Sequence, residues 1–288
     1  MADGAVSDAW TPSPRQLERA ALVRRQRHQR TLTAVVVTTV VLGLLGLGAV
    51  SSPGWERFRE TFLDGEHMRA ALPAVADGFW TNVAMFLIAE PLILLVGILV
   101  AVTRRTVSPW LAPLRLLAVA YTDLFRGIPT LLVVVLCAFG IPAMRLSGVT
   151  NSLFWLTLVA LVLSYGAYVA EVVRSGIDSV HPTQLASAEA LALSRPQAMR
   201  HVVLPQALRR VVPPLMNDFV SLQKDTALIS AVGVVEALRA ASDYGNYHFN
   251  YSALLVAAAF FVVVTVPLAR LTDWLAARAM RRERGLAR

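Results

Sequence analysis

Long apolar runs recur along this chain and constrain its fold more than any other feature. A run of about 20 apolar residues can cross a hydrocarbon core of about 30 Å as an α-helix. With 56% hydrophobic and 16% charged residues, the chain has too few polar side chains to cover a water-facing surface. The sequence therefore predicts an all-α, polytopic membrane bundle of about six transmembrane helices. The predicted spans are residues 31–50, 79–103, 128–146, 152–173, 226–241 and 252–275.

The first apolar run follows a polar, arginine-rich segment, residues 1–30, an arrangement that secretory signal peptides share. The run itself, 31–50, is longer than the apolar part of a signal peptide, and no small-residue cleavage site follows it before Pro53. We therefore expect a retained membrane helix preceded by a basic tail.

The distribution of basic residues predicts the orientation of the bundle, since Lys and Arg are retained on the cytoplasmic side of a membrane. Alternate connecting segments fall into two groups, one with 21 basic residues and one with 3. We therefore expect both termini to be cytoplasmic. The basic group comprises residues 1–30, 104–127, 174–225 and 276–288, and the other group comprises 53–78, 147–151 and 242–251.

Several kinds of site are not expected in this chain. It has one cysteine, Cys137, and five histidines without metal-ligand spacing, so we assign no disulfide, no metal and no catalytic residue. Its 26 arginines and single lysine lie between apolar runs rather than on one basic face, which disfavours nucleic-acid binding. No phosphate-binding loop or Rossmann glycine pattern occurs, so no cofactor is expected here.

The longest segment predicted to be cytoplasmic, 174–225, has a helix-forming composition. Two short helices are expected, over 184–193 and 197–210, with a break at residues 194–196, because Ser caps helices and Pro suits a first turn. Their apolar residues recur at helical spacing and leave Arg200 available to water. The pattern fits a docking surface for a partner, and it also fits an amphipathic segment lying on anionic headgroups.

Four ordered blocks resemble the permeases of ATP-binding-cassette importers, in particular the branch that takes up polar amino acids. The first block resembles the family's cytoplasmic coupling loop, whose usual form is EAA, then a glycine, then I-x-LP. The other three resemble Y-x-E-x-F-R-G-T-P, A-Y-x-A-E-x-x-R-G-G-I-x-S-V and L-x-K-D-T-S-L. In this sequence the coupling loop lies at 182–207, and the other three blocks lie at 121–129, 165–180 and 222–228.

The coupling-loop resemblance assigns positions for contact with an ATPase subunit. The EAA falls on residues 186–188, so its acidic residue is missing, and Glu189 on nearly the same helical face is the candidate replacement. The glycine position falls on Ala192, which stays small but adopts a positive φ only at a cost. The predicted coupling residues are Ala186, Ser187, Ala188, Glu189, Ala192, Arg200, Val202 at the isoleucine position, Leu204 and Pro205.

The resemblance also implies a fold, partners and a location. It implies a type I importer permease in the bacterial inner membrane that carries polar amino acids and is not itself an enzyme. Its implied partners are separate nucleotide-binding ATPase subunits, a second copy or a related permease, and an extracytoplasmic amino-acid-binding protein. The expected organisation is a basic tail at 1–30, a first helix with an external segment at 31–75, a transport core at 76–280 and a basic tail at 281–288.

Two glutamates in predicted spans, Glu90 and Glu171, are candidates for the translocation path, because an ionisable group in a membrane helix normally faces protein or water. Glu171 lies three residues before Arg174, so a structural ion pair is the alternative. Pro91 frees backbone groups that could bind Glu90 instead. Arg126 is a further candidate for the path, or else an anchor at the membrane surface before a turn.

The family block at 222–228 contains the chain's only lysine. It predicts a gate at Lys224, Asp225 and Thr226. The same residues could instead begin a helix, with Asp225 as its cap and Lys224 reaching the membrane interface. If Lys224 closes a gate, its expected partner is Asp225 or Glu236.

Two functions of other classes are alternatives to the importer. An ion-coupled secondary transporter would use Glu90 or Glu171 as its coupling site and would need no ATPase. An intramembrane enzyme is disfavoured, since no GxSxG, no HExxH and no paired intramembrane aspartates occur in the sequence.

Overall fold

The computed structural model describes residues 13–106 and 108–286, and these ranges are helical with short connections and no β-strand. The all-α prediction is confirmed. Residues 1–12 of the predicted N-terminal tail and 287–288 of the predicted C-terminal tail lie outside the described part. The chain divides into two compact units, Met1–Arg59 and Glu60–Arg288.

The N-terminal unit is built on one long helix, α1 (Pro14–Val50). Ser13 begins it with a capping box, in which the Ser13 side chain accepts from Gln16 N and the Gln16 side chain accepts from Ser13 N. Apolar side chains of the run 31–50 are exposed around the helix, as expected for a span in lipid. Residues 14–30 are not a separate tail, because α1 passes through them without a break.

A short helix, α2 (Trp55–Phe62), joins the two units, and the rest of the second unit is a bundle of helices with irregular pieces between them. The irregular pieces are 3₁₀ turns at Pro109–Leu111 and Thr226–Val232 and π-helical turns at Leu136–Gly140 and Met199–Val203. The helices are α3 (Gly65–Arg104), α4 (Ala112–Gly127), α5 (Thr130–Val135), α6 (Ile141–Ala143), α7 (Leu153–Asp178), α8 (Pro182–Ala190), α9 (Arg195–Ala198), α10 (Leu204–Asp225), α11 (Ala237–His248) and α12 (Ser252–Leu286).

Within the described residues, four helical stretches are long and apolar enough to cross a membrane, and a fifth candidate consists of two pieces that meet at 107°. At this bend Ile128 has an extended backbone and Pro129 precedes α5. The turn at residues 126–129 was predicted. The location of α4 was not, because residues 104–127 were assigned to a cytoplasmic loop and α4 instead forms half of the bent pair. The four stretches are Pro14–Val50, Trp55–Arg104, Leu153–Asp178 and Ser252–Arg278, and the bent pair is Pro109–Gly127 with Thr130–Ala143.

The predicted span over 226–241 is wrong. The structure places a 3₁₀ turn first, then Gly233 in the left-handed region with φ of 94°, then a non-helical stretch and the start of α11. Ile229 and Val232 are buried in the main core cluster. The run is apolar because it fills the interior of the protein, and not because a continuous helix there faces lipid.

Helix α10 makes the crossing that the apolar run was expected to make. Its cytoplasmic part is held by Arg210, whose guanidinium donates to the Ser179 carbonyl just after α7. On the other side, Asn250 Nδ2 donates to the Glu60 carbonyl, 2.8 Å away and shortly before α3. With the bent pair counted as one crossing, three crossings separate the start of α3 from the end of α7, so these contacts lie on opposite sides of the bundle. The chain therefore crosses between them through α10, a segment predicted to be cytoplasmic.

Small residues bring the long helices into close contact. A Cβ added at Gly97 of α3 would collide with the Val169 side chain of α7, and one added at Gly176 of α7 would collide with Val211 of α10. The core beside these contacts contains the fully buried side chain of Leu161. This close packing of α3, α7 and α10 positions the polar groups described below.

Candidate coupling segment and translocation path

The predicted coupling segment, residues 182–210, begins with α8. His181 begins the helix, since its side chain accepts a hydrogen bond from Thr183 N, and Pro182 occupies the first turn. A break is present, but it lies at residues 191–194 rather than at the predicted 194–196, because α8 ends at Ala190 and α9 already starts at Arg195. The second helix does not end near residue 210 as predicted, because α10 continues to Asp225.

Ala192 ends α8 in a left-handed conformation with φ of 57°. Leu193 N donates to the Ala188 carbonyl at 3.1 Å and Ala192 N donates to the Glu189 carbonyl at 2.9 Å. These two bonds form a Schellman motif, whose left-handed position is normally glycine. The alignment places the family's glycine at this residue, so the structure supplies a physical reason for that glycine and places a strained alanine there.

The coupling segment has a buried side and an exposed side. Ala188, Val203 and Ala207 are buried, and Val203 and Ala207 pack with Val180 at the end of α7. Leu191, at the corner after α8, is 77% exposed. Of the remaining predicted coupling residues, Val202 is half-buried, while Ala186, Ser187, Glu189, Ala192, Arg200, Leu204 and Pro205 are exposed.

Glu171 joins three helices at the cytoplasmic end of the bundle. Its carboxylate accepts from Arg174 on its own helix, with Nη2 at 2.5 Å from Oε1, and from Arg104 Nη1 of α3, at 2.9 Å from Oε2. Arg126 Nη1 at the end of α4 lies 3.7 Å from Oε2. The ion pair with Arg174 was weighed from the spacing, whereas the partners on α3 and α4 were not foreseen. Arg126 and Glu171 also line a cavity of about 470 Å³.

Glu90 lies opposite a carboxyl group that sequence reasoning missed, Asp218 of α10. The two groups are close enough to repel each other, and both are half-buried. Asp218 Oδ2 is buried and makes no hydrogen bond within the described part of the chain. Next to this pair, Phe86 and Phe219 pack α3 against α10 with ring centroids 4.7 Å apart. Asp218 was overlooked because its segment was assigned to a cytoplasmic loop, where a carboxylate is unremarkable.

The three residues of the predicted gate have different surroundings. Asp225 Oδ2 accepts a 2.7 Å hydrogen bond from Tyr165 Oη of α7 and makes no capping hydrogen bond, so the predicted cap is wrong. Thr226 is fully buried and its Oγ1 accepts from Asn82 Nδ2 at 3.1 Å. Lys224 is exposed and forms no ion pair within the residues that the structure describes.

Glu236, one of the two partners expected for Lys224, is hydrogen-bonded to other groups instead. It is fully buried at the start of α11, where its side chain accepts from Leu238 N at 2.9 Å and from Arg239 N at 2.7 Å. Asn82 Nδ2 donates to Glu236 Oε2 at 3.0 Å. The expectation of a Lys224–Glu236 pair is therefore not met in this structure.

Residues 93–281 match the protein family described as Binding-protein-dependent transport system inner membrane component. The matched range includes the coupling segment, α7, α10 and Asp218, and it begins inside α3.

Several proteins similar to this chain are named as permeases of amino-acid transport systems. It is 34% identical over 195 residues to the probable glutamine ABC transporter permease protein GlnM of Bacillus subtilis, covering 67% of this chain and 87% of that protein. It is 28% identical over 271 residues to the arginine transport system permease protein ArgU of Corynebacterium glutamicum, covering 89% and 81%. A crystal structure of an amino acid ABC transporter with histidines matches with a TM-score of 0.69 and 27% identity, over 75% and 98%. These similarities give no support to an ion-coupled transporter.

Proposed function

Because the chain belongs to the family of binding-protein-dependent transport system inner membrane components, we propose that residues 182–210 dock an ATPase subunit and couple its cycle to transport. The chain is the non-catalytic permease subunit of an ATP-binding-cassette importer of polar amino acids, a multi-pass protein of the bacterial inner membrane. ATP hydrolysis takes place in a separate subunit.

One continuous helix carries this proposal. Helix α10 begins inside the coupling segment at Leu204 and ends at Asp225, beside Tyr165. Its 22 residues extend over about 33 Å at 1.5 Å per residue. A displacement of the docked segment would therefore move Asp218 and Asp225 together, relative to Glu90 and Tyr165 on the neighbouring helices.

The exposed side of the coupling segment supports docking of a protein. Leu191 projects from the corner after α8, and Leu204 is 47% exposed at the start of α10. Arg200 lies between them in sequence and is also exposed. An apolar centre with an arginine beside it is the composition of a protein interface. Ala188, in the same segment, is buried and faces away from this surface.

A second permease, either a copy of this chain or a related protein, is proposed to face Lys224. Lys224 lines an otherwise apolar cavity of about 450 Å³ with Leu238, Leu254 and Phe261. A lysine among apolar side chains in a membrane protein is costly unless protein or water covers it. A second permease that encloses a water-filled path would supply that cover.

The carboxyl groups within the bundle favour a substrate with a cationic group. Asp225 of α10 accepts a hydrogen bond from Tyr165, and Asp218 of the same helix, which faces Glu90 of α3, has no hydrogen-bond donor to its Oδ2 among the described residues. An ammonium or guanidinium group would satisfy such a set. We therefore also propose that the path prefers basic amino acids, such as the arginine in the name of the Corynebacterium relative.

Docking is tested by purifying the tagged permease from native membranes and measuring the ATPase subunit that accompanies it. Leu191→Asp and Arg200→Glu each change the exposed surface without touching a buried residue. We expect either change to reduce ATPase recovery about ten-fold, the size of an interface hot spot. Leu146→Asp, at an exposed leucine outside the segment, is the matched control. Full recovery with both variants would contradict docking at 182–210.

Substrate preference is tested by competition in proteoliposomes that contain the whole transporter. We expect unlabelled arginine to suppress uptake of labelled arginine more strongly than glutamine does. Asp218→Asn should weaken arginine uptake and leave ATPase recovery unchanged. Equal competition by both amino acids would contradict the preference for a cation.

A further inference from the structure

An exposed aromatic corner, formed by Tyr247 and Phe249, lies at the external end of α11. Tyr247 is 82% exposed and Phe249 is 85% exposed. Aromatic side chains are enriched both at protein interfaces and at the surface of a membrane. The corner is therefore a candidate contact surface, and its surroundings distinguish between these two partners.

Phe249 has a backbone conformation that normally belongs to glycine. It directly follows α11 with φ of 53° and ψ of 28°. At this position after a helix, glycine is preferred because a Cβ is strained in the left-handed region. Since the Phe249 side chain is mostly exposed, packing within the chain does not offset the strain. A large side chain retained under strain points to a contact outside the chain.

The backbone around the corner is firmly held. Asn250 is buried, its Nδ2 donates to the Glu60 carbonyl at 2.8 Å, and its Oδ1 accepts from Ser252 N at 2.9 Å. On the helix side, the rings of Tyr244 and His248 stack with centroids 4.0 Å apart. The corner is therefore presented in a fixed geometry, which lowers the entropy cost of binding.

A cavity of about 600 Å³ lies beside the corner, and its mainly uncharged wall includes two aspartates and His248. Tyr247 forms part of its wall, together with Asp77 of α3 and Asp243 of α11. Asp243 is paired with Arg239, at 2.9 Å. Asp77 forms no ion pair within residues 13–106 and 108–286. The cavity therefore presents an uncompensated negative charge next to two exposed aromatic rings.

We propose that the aromatic corner and this cavity form the docking surface for the extracytoplasmic binding protein. A carboxylate-lined cavity is unfavourable against lipid chains, whereas carboxylates and aromatic faces together bind Lys or Arg. The binding protein places a basic side chain towards Asp77 and packs apolar surface on Tyr247 and Phe249. The inference rests on the proposed function, which supplies a binding protein as the partner.

The decisive variant is Phe249→Gly, because glycine relieves the strained backbone while it removes the aromatic contact. The whole transporter is reconstituted, and ATPase stimulation is titrated with the loaded binding protein. We expect the half-maximal concentration to rise about ten-fold. Arg145→Gly is the matched control, since Arg145 is another exposed left-handed residue, with φ of 48°, and should not change the titration. An unchanged titration for Phe249→Gly would overturn the proposal.

A second measurement identifies the partner directly. Benzoylphenylalanine in place of Tyr247 should cross-link to the binding protein on illumination, whereas the same group in place of Trp110, which is 92% exposed, should not. Cross-links only to lipid, or only to a second permease, would overturn the proposal. ATPase recovery is measured without binding protein, so a failure of the coupling proposal appears there and not in the cross-link.

Discussion

Asn82 of α3 and Glu236 at the start of α11 are joined inside the bundle by a 3.0 Å hydrogen bond from Asn82 Nδ2 to Glu236 Oε2. Asn82 Nδ2 also donates to Thr226 Oγ1, and Asn82 Oδ1 accepts from Ala237 N at 3.1 Å. One amide thus holds together the 3₁₀ turn after α10, the start of α11 and α3.

Replacement of this amide should destabilise the bundle. Asn82→Leu keeps the approximate size but removes one of the three donors to Glu236 and leaves the buried Ala237 N without its acceptor, at a cost of about 1–3 kcal/mol. We expect a lower unfolding temperature for the purified permease in detergent. Asn151→Leu, at an exposed asparagine, is the control and should unfold with the wild type. Equal unfolding temperatures for all three proteins would show that the buried amide contributes nothing.

The left-handed Ala192 predicts a stabilising substitution. Ala192→Gly removes the Cβ strain at φ of 57° and should stabilise the end of α8 by about 1 kcal/mol. Amide hydrogen exchange over residues 182–193 measures this change. Ala186→Gly, in the middle of α8, should have the opposite effect because glycine weakens a helix interior. If both substitutions speed exchange equally, the strain at Ala192 is not real.

The contact between Gly97 and Val169 predicts that position 97 does not accept a side chain larger than that of glycine. Gly97→Ala forces a methyl group into the Val169 side chain and should cost about 1–3 kcal/mol in unfolding free energy. Val169→Ala in the same protein should restore part of the loss. Gly140→Ala, where an added Cβ meets nothing within 4 Å, is the control. Unfolding of Gly97→Ala at the wild-type temperature would contradict the tight packing of α3 on α7.

The pair of Arg104 and Glu171 should be energetically coupled. Both side chains are largely buried, so a double-mutant cycle with Arg104→Met and Glu171→Gln should give a coupling of about 0.5–3 kcal/mol. The exposed pair Arg59 and Glu56 provides a control cycle, expected below about 0.5 kcal/mol. Equal coupling in both cycles would show that the Arg104–Glu171 ion pair holds α3 and α7 together no more strongly than an exposed ion pair does.

Hydropathy predicted the helices whose apolar run is long and continuous, and it failed at α10 and at the buried turn after it. The apolar parts of α3, α7 and α12 were placed correctly because each run is long enough to cross a membrane. Helix α10 was assigned to the cytoplasm because it carries Asp218, Lys224 and Asp225. The apolar run after it belongs to a buried turn that ends at Gly233.

The candidate site was predicted where local spacing or motif determines it. Arg174 lies three residues from Glu171, and a helix brings them together whatever else the fold does. The contacts of Glu171 with Arg104 and Arg126, and of Asp225 with Tyr165, join residues far apart in sequence. They depend on how α3, α4, α7 and α10 pack, which no local pattern records.

The central claim is that ATP binding by a partner, received at residues 182–210, drives amino-acid import through this chain. The most direct test is uptake of labelled amino acid into proteoliposomes that contain the permease, ATPase and binding protein, with all ion gradients collapsed. The account predicts uptake only when ATP is supplied on the ATPase side, and loss of that uptake in Leu191→Asp. Uptake that continues without ATP and follows a proton or sodium gradient would contradict it.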